Sequence, residues 1–416
     1  MRLFAYISLL FGAVCATKWP EDTSANVDSA IDSAAPGDDT GDADTDSDSD
    51  TDSDSDSDTD TDSDTDTDTD SDTDEDTGTV PPADCEPGTV TWAVTDKAVE
   101  DLTATFSAGD FGAPIDWTLD QAGTLTLCDG SWYASITVNE VSAAIVGAGP
   151  EKTTLSAGFV GSVITAVGRE LTVRDLRIIE GVADNGAGIN LDGVAATLVN
   201  LEVVDNISTN NGGGLYQDGG QLDMSGVTFS GNSASQQGGA IWLSGVPLEG
   251  TDVTLSSNSA YFYGGIYLKD GELILEDSLI TGNDGAAGGG VSVDGARAYL
   301  TNTTLSDNVS DTNGGAVYLY SGYLLLQGGA LSGNQAGFGG GIFLNNYSTS
   351  EAYGTSFTDN DAVTFGGAVD VAANCGFLSD ASTYSGNTPH DIYVNDGLDY
   401  SYSGEATFTC DDHGCE

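Results

Sequence analysis

The sequence predicts an all-β protein: a right-handed parallel β-helix solenoid of roughly ten to twelve coils, preceded by a disordered Asp-rich linker. Three observations support this prediction: a motif that returns every 25–27 residues, apolar residues that alternate with period two, and glycines between them. The 416 residues include 56 Gly but only 9 Pro, and the hydrophobic fraction of 39% suffices for a core. The glycines therefore indicate the turns of a repeating fold.

An asparagine marks each repeat, and an aliphatic residue after the glycines follows the same period. If the coils stack, the asparagine amides lie in one row and can bond to one another instead of remaining buried and unpaired. We therefore expect a structural ladder of these side chains. The marker residues are Asn206, Asn232, Asn258, Asn283, Asn308, Asn334, Asn360 and Asn387.

The content of each repeat favours strands over helices. Apolar residues alternate in segments such as Ile241-Trp242-Leu243 and Val317-Tyr318-Leu319, which is the periodicity of a β-strand. Three short strands and three turns account for the length of a repeat. Strands of successive coils then pair in parallel at about 4.8 Å per coil.

Composition divides the chain into five segments. The solenoid needs caps because its first and last coils would otherwise expose unpaired strand edges. The predicted segments are an export signal at 1–16, a disordered Asp/Ser/Thr-rich tether at 17–79, an N-terminal cap with irregular first coils at 80–180, regular repeats at 181–390, and a C-terminal cap at 391–416.

The first residues have the composition of an export signal. Arg2 precedes an apolar run from Leu3 to Val14, which is too short for a permanent membrane anchor. Two processing schemes remain open: ordinary cleavage after Ala16, or lipidation of Cys15 as in bacterial lipoproteins. The protein is accordingly expected to be secreted or to be anchored by lipid at the outer membrane.

The charge is strongly negative, with 67 Asp+Glu against 9 Lys+Arg and a formal net charge of -58. A surface of this sign repels phosphate backbones, which excludes nucleic acid as a partner. Aspartate occupies every even position from Asp44 to Asp74, and mutual repulsion keeps such a segment extended. The alternatives for this tether are a passive spacer and a weak calcium binder.

Cysteine usage indicates an oxidising compartment and no metal site. Processing removes or lipidates Cys15, so that at most two disulfides form and one thiol is left over. The sequence has only two histidines and no Cys-x-x-Cys pair, and it predicts no cofactor. The candidates for disulfide formation are Cys85, Cys128, Cys375, Cys410 and Cys415.

Two motifs of the repeat resemble those of a known family. The pattern F-x-x-N occurs at Phe229–Asn232 and Phe357–Asn360, and GGA-[IV] occurs at Gly238–Ile241, Gly314–Val317 and Gly366–Val369. Together they resemble the repeats of chlamydial-type polymorphic outer membrane proteins, which belong to the pectin-lyase-like group of right-handed β-helices. The resemblance covers about residues 180–390, and it implies a surface protein with an adhesive function.

The same group contains pectate lyases and polygalacturonases, so the resemblance also implies an alternative function as a polysaccharide lyase or hydrolase. Such lyases use a basic residue beside a calcium-bound carboxylate. In the repeat register Lys269 lies one coil from Asp294, which makes this pair the weak catalytic candidate. A solvated cross-coil ion pair explains the same placement, and the acidic surface would repel polyuronides. The sequence therefore favours a non-enzymatic protein.

An outward column of aromatic residues is the candidate binding surface. Trp242 lies between two core residues, and aromatic residues recur at the same place in other coils. Such a flat stripe could stack on sugar rings or anchor a protein partner, or its rings could merely stack on one another. The partner would be a cell-surface glycan or protein. The stripe consists of Tyr216, Trp242, Tyr267, Tyr318 and Phe343.

Overall fold

The computed structural model describes residues 85–395, together with short strands at 400–403, 410–411 and 414–415. The described chain forms a parallel β-solenoid of about ten coils, which confirms the predicted all-β fold class. Residues 1–84 lie outside the described part, and they include the predicted export signal, Cys15 and the tether.

Each regular coil contains four short strands instead of the predicted three. The fourth strand is only two residues long in several coils, so it shows no alternation in the sequence. It pairs with its copies in a separate parallel sheet. One complete coil consists of Ile241–Ser244, Pro247–Thr251, Thr254–Ser256 and Ser259–Ala260, called the first to fourth strands below.

The later coils repeat this order. Their first strands are Ile266–Lys269, Val291–Asp294, Val317–Tyr320, Ile342–Asn345, Val369–Val371 and Ile392–Val394. Their second strands are Glu272–Glu276, Arg297–Thr301, Tyr323–Gln327, Thr349–Tyr353, Gly376–Asp380 and Tyr400–Ser403. Their third strands are Leu279–Thr281, Thr304–Ser306, Ala330–Ser332, Ser356–Thr358 and Thr383–Ser385. Their fourth strands are Asp284–Gly285, Val309–Ser310, Gln335–Phe338 and Asp361–Phe365.

The earlier coils contain longer and less regular strands. A single short helix, Thr103–Phe106, lies among them in the described chain, and Phe106 buries its ring in the core. The strands are Val90–Val94, Glu100–Asp101, Ile115–Leu119, Gly123–Leu127, Gly130–Asn139, Ala143–Val146, Thr153–Ser156, Ile164–Val167, Glu170–Ile179, Val182–Asn185, Ile189–Val204, Ile207–Asn211, Leu215–Ser230 and Ser233–Ala234.

The core runs through the middle of the solenoid. Ile241 and Leu243 of one first strand are fully buried, and in the next coil Ile266 and Leu268 occupy the same places in register. Backbone hydrogen bonds join each coil to the next, so the buried polar groups of one coil are satisfied by its neighbours. Trp242, between Ile241 and Leu243, is left on the outer side of the sheet.

Glycine occupies the turn that leads into most of the first strands. Gly238 has φ +68°, a left-handed conformation that other residues rarely adopt. A Cβ atom on Gly239 would lie 2.3 Å from the carbonyl oxygen of Gly264 in the next coil. The paired glycines of the repeat therefore let the chain turn and let coils approach closely.

The solenoid ends in short strands that bring two cysteines into register. Strands Cys410–Asp411 and Gly414–Cys415 are antiparallel, and Cys410 is paired with Cys415. Within the described residues, no helix is long and apolar enough to cross a membrane.

Candidate functional site

One column of side chains runs along the outer side of the first strands. Parallel pairing without register shifts places one residue of each coil directly beside its counterpart in the next coil. The column contains all five residues of the predicted stripe. From the N-terminal end it consists of Thr165, Asn190, Tyr216, Trp242, Tyr267, Ser292, Tyr318, Phe343, Asp370 and Tyr393.

The predicted flat, exposed stripe is wrong in one respect, because a second set of rings covers it. The side chains of Trp242 and Tyr318 are half-buried, and Tyr267 is only 6% exposed. Tyr263 lies against Tyr267 and Tyr318, and Phe338 lies against Phe343; both rings come from the segments that precede the first strands. The column therefore forms one wall of a groove and not a free surface.

Tyr263 closes the single gap that Ser292 leaves in the middle of the column. Its ring stacks on Tyr267 at 4.6 Å with an interplanar angle of 5°, and it lies 6.4 Å from the nearly parallel ring of Tyr318. Since Tyr267 and Tyr318 are two coils apart, Tyr263 takes the place that an aromatic residue at position 292 would occupy. Tyr263 itself stands where the neighbouring coils have Gly238 and Gly288.

The rings form an unbroken series along the molecule. Neighbouring centroids are separated by 4.1–6.4 Å, and the closest pairs are nearly parallel. Aromatic pairs at such separations stabilise one another by about 0.5–1.5 kcal/mol beyond burial. The series consists of Tyr216, Trp242, Tyr267, Tyr263, Tyr318, Phe343, Phe338, Phe365 and Tyr393.

A cavity of about 210 Å³ opens beside the middle of this series. The side chain of Ser292 is 1% exposed, and its Oγ finds no hydrogen-bond partner in the described chain. Nearby, the Tyr267 hydroxyl donates a 3.0 Å hydrogen bond to Oδ2 of Asp294. The remaining walls come from Tyr263, Val293, Tyr318 and Tyr320. We call this the central cavity.

Burial keeps the phenols of the central cavity protonated. Burial is the main cause of the rise in the pKa of Tyr263 to about 12, and the charges of Tyr318 and Asp294 contribute less. Burial, followed by the charge of Asp294, likewise raises the pKa of Tyr267. These hydroxyls are thus neutral hydrogen-bond donors at physiological pH, beside a carboxylate that accepts.

Two further cavities lie on the same column. One, of about 320 Å³, is lined by Tyr216, Asn190, Asp192 and Asp218 among others. The other, of about 230 Å³, lies at the opposite end and is called the Asp370 cavity. With the central cavity they define a surface that we call the aromatic groove.

Asp370 is an unusual member of this column because it is 4% exposed. Burial raises the pKa of its carboxyl group to about 7 from an ordinary value of 3.8. The cavity around it is lined by Phe338, Phe343, Phe365 and Tyr393, with Asn313 and Asn395. In the sequence, Asp370 is distinguished only as a non-aromatic residue at a column position.

The weak catalytic pair does not form the expected ion pair. Lys269 and Asp294 are paired in register on neighbouring strands, as the repeat predicts. Ion pairs within 4.0 Å in the described chain include Arg174–Asp175 and Arg177–Glu202. Lys269 is exposed. The carboxylate of Asp294 accepts a hydrogen bond from the hydroxyl of Tyr267 and not from Lys269. Among the described residues, no group of three or more His, Cys, Asp or Glu side chains could hold a metal ion.

The asparagine markers lie in one buried ladder on another side of the coil. Each Nδ2 donates to Oδ1 of the next asparagine at 2.8–3.0 Å. The backbone N–H of the same residue donates to that oxygen at 3.0–3.2 Å. The ladder consists of Asn206, Asn232, Asn258, Asn283, Asn308, Asn334, Asn360 and Asn387.

The cysteines occupy the two ends of the solenoid. Cys85 and Cys128 form a disulfide with a Cα–Cα distance of 5.3 Å. The candidacy of Cys375 for a disulfide is wrong, because its thiol is free and buried. Cys375 lies where the chain leaves the first strand Val369–Val371, and burial raises its pKa.

Two family models match parts of the chain. The one described as "Right handed beta helix region" matches residues 244–412. The one described as "Chlamydia polymorphic membrane protein (Chlamydia_PMP) repeat" matches residues 226–244, which include Phe229–Asn232 and Gly238–Ile241. The chain is a right-handed β-helix repeat protein that resembles the polymorphic membrane proteins.

These matches confirm the resemblance that the sequence motifs predicted. They indicate a surface-type β-helix protein, and the repeat match is to proteins of the membrane. Neither a search of curated proteins nor a search of solved structures finds a match.

Proposed function

We propose that this protein is a non-catalytic, exported β-helix protein of the cell surface and that its aromatic groove binds glycans around the central cavity. The observation that carries the proposal is the central cavity. There the buried hydroxyl of Ser292 lacks a partner, while Asp294 and the phenols of Tyr263 and Tyr267 lie within the same walls. A sugar presents an apolar face for the rings and hydroxyls for these polar groups.

The polar groups of the central cavity suit a sugar better than an apolar side chain. An apolar occupant would leave the Ser292 oxygen unpaired and would also desolvate the carboxylate of Asp294. A sugar hydroxyl can donate to Asp294 and accept from a phenol at the same time. These requirements favour a hydroxyl-rich ligand.

The charge of the chain restricts the class of glycan. With a net charge of -58, the protein repels uronic acid polymers and sulfated chains. Asp294 adds a local negative charge to the lining of the cavity. We therefore expect neutral or amino sugars as ligands, and this expectation also weighs against the lyase alternative with Lys269 and Asp294.

A glycan array probed with the full-length protein tests the proposal. The variant carries Trp242→Thr and Tyr318→Thr, because Thr suits a strand but offers no ring. Losing two rings that each contribute about 0.5–1.5 kcal/mol should weaken binding by about fivefold to more than a hundredfold. The control carries Tyr299→Thr and Tyr323→Thr, which removes a ring pair on the second strands.

The control should bind like the wild type, provided that both variants melt cooperatively. A groove variant that binds glycans normally would contradict the proposal. Binding of a protein but of no glycan would assign the groove to a protein partner. Cleavage of polyuronides in the presence of calcium would instead restore the lyase alternative.

We further propose that the residues before the solenoid attach the protein to the cell surface. We propose that the signal at 1–16 exports the protein, that Cys15 anchors it by lipid, and that the Asp-rich tether spaces it from the membrane and binds calcium weakly. Mass spectrometry of the mature N-terminus decides the first two points. Small-angle scattering should show contraction between chelator and millimolar calcium, whereas unchanged dimensions would leave a passive spacer.

A further inference from the structure

The Asp370 cavity differs chemically from the rest of the groove. In the column of the first strands, Asp370 is paired in register with Phe343 on one side and with Tyr393 on the other. A carboxyl group thus stands in a row of rings, about 4.8 Å from each neighbouring strand. Nothing in the glycan-binding proposal uses this end of the groove.

Four aromatic rings line the Asp370 cavity: Phe338, Phe343, Phe365 and Tyr393. Phe365 and Tyr393 stack at 4.1 Å with an angle of 12° between their planes. Phe338 lies 6.2 Å from Phe343 at 51° and 6.2 Å from Phe365 at 42°. Because these planes are inclined to one another, the four rings do not form a single flat stack.

The carboxyl group of Asp370 is buried without compensation. It is 4% exposed, and burial is the only cause that raises its pKa, without a contribution from a hydrogen bond or a neighbouring charge. The titratable groups near it are the phenol of Tyr393, which lines the cavity, and the thiol of Cys375, whose pKa it raises slightly. Neither group carries a positive charge. A buried carboxylate without a cation is costly, so this site lacks a positive partner.

The lining residues of the Asp370 cavity determine which class of cation it can bind. Aromatic faces attract organic cations through the negative charge of the ring face, and cages of several rings recognise methylated ammonium groups. An inorganic cation would need several oxygen ligands, whereas Asp370 is the only carboxylate among the lining residues. A neutral sugar would leave the carboxylate uncompensated.

We propose that the Asp370 cavity binds a methylated ammonium group, held by the carboxylate of Asp370 and by the faces of Phe338, Phe343, Phe365 and Tyr393. The strongly negative chain would draw such a cation toward the groove. Binding requires ionised Asp370, whose pKa burial raises to about 7. Affinity should therefore rise as the pH increases from 6 to 8.

Calorimetric titration of the full-length protein with choline tests this proposal. The comparison ligand is 3,3-dimethyl-1-butanol, which has the shape of choline but no charge. Choline should bind at least about tenfold more tightly than the alcohol at pH 8. Asp370→Asn should remove this preference, and Phe365→Leu, which keeps an apolar wall without a ring face, should weaken choline binding several-fold.

The control is Asp294→Asn, which removes a carboxylate from the central cavity and should leave choline binding unchanged. Equal affinity for choline and the alcohol, or normal choline binding by a folded Asp370→Asn variant, would overturn the proposal. If Asp370→Asn fails to fold, the pH profile and Phe365→Leu decide instead, since a flat profile contradicts the role of the carboxylate. Glycan binding by Asp370→Asn is expected to persist, so the two proposals fail separately.

Discussion

The asparagine ladder and the aromatic groove occur in the same coils, but only the ladder has the same residue in every coil. The ladder places the same side chain at every coil from Asn206 to Asn387, with nearly the same hydrogen bonds each time. The groove column mixes aromatic residues with Ser292 and Asp370. The difference arises because the buried amides of the ladder must pair with one another, whereas a ring in the groove can stack on a ring from another position.

In the ladder every amide needs its copy in the next coil, because an isolated buried amide would lose its partners. In the groove a ring can stack on a ring from another position, as Tyr263 does above Ser292. The groove can therefore vary from coil to coil without breaking the solenoid. Such local variation is what a specific binding site requires.

The largest expected effect comes from breaking the ladder. Asn308→Leu removes the hydrogen bonds from the Asn308 side chain to Asn334 and to the carbonyl oxygen of Ile280. It also removes the Oδ1 acceptor of Asn283, whose backbone N–H loses its partner and whose Nδ2 keeps only the carbonyl oxygen of Leu255. Each unpaired buried group costs about 1–3 kcal/mol. We expect the free energy of unfolding, measured by urea titration, to fall by about 3 kcal/mol or more.

The matched control for this change is Ser306→Ala, two residues away, which removes the half-buried hydrogen bond from Ser306 to Thr281. It should lower the free energy of unfolding by about 1 kcal/mol or less. Similar losses for the two variants would mean that the ladder has no special structural role.

The second effect tests the uncompensated charge in the groove. Burial raises the pKa of Asp370 from 3.8 to about 7, so its contribution to stability is fully present below 3.8 and is lost as the pH rises through about 7. Asp370→Asn removes this loss. The variant should therefore gain stability relative to the wild type between about pH 4 and pH 7, by at most about 1.4 kcal/mol per pH unit.

Urea titrations of both proteins across this pH range measure the difference directly. Contributions of other carboxylates cancel because both proteins contain them. A difference that stays constant with pH would show that Asp370 is not buried as an uncompensated acid.

The repeat predicted the solenoid from the sequence because two of its features are purely periodic. The asparagine spacing and the alternation around Ile241 and Val317 follow from stacking, and both require no knowledge of the turns. The fourth strand escaped prediction since two residues such as Ser259–Ala260 cannot show alternation.

The groove was only partly predictable. The column from Tyr216 to Phe343 followed from the register, but the further rings come from the turn at Tyr263 and from the fourth strands that end at Phe338 and Phe365, which the sequence did not reveal. Tyr263 stands at a glycine position, and this break in the pattern could have indicated a special role. The cavity around Asp370 also depends on Phe338 and Phe365, which belong to fourth strands and therefore lie outside the column of the first strands.

The smallest effect concerns the central cavity. The charge of Asp294 and its hydrogen bond both raise the pKa of Tyr267, although burial is the larger cause. Asp294→Asn should therefore lower the pKa of Tyr267 while leaving it above 10.0. A spectrophotometric difference titration against the wild type follows the phenol. Asp270→Asn is the control, because Asp270 is the weakest of the causes and should shift the titration less.

Our central claim is that the asparagine ladder stabilises the fold, whereas the aromatic groove binds the ligand. The variant Tyr263→Gly tests this claim most directly. It restores the glycine found in neighbouring coils and removes the ring above Ser292. We measure its free energy of unfolding together with its affinity for the glycan that the wild type binds most tightly. The account predicts a stability loss of about 1–2 kcal/mol, smaller than for Asn308→Leu, and binding weakened several-fold. Unchanged affinity, or a stability loss as large as that of Asn308→Leu, would contradict it.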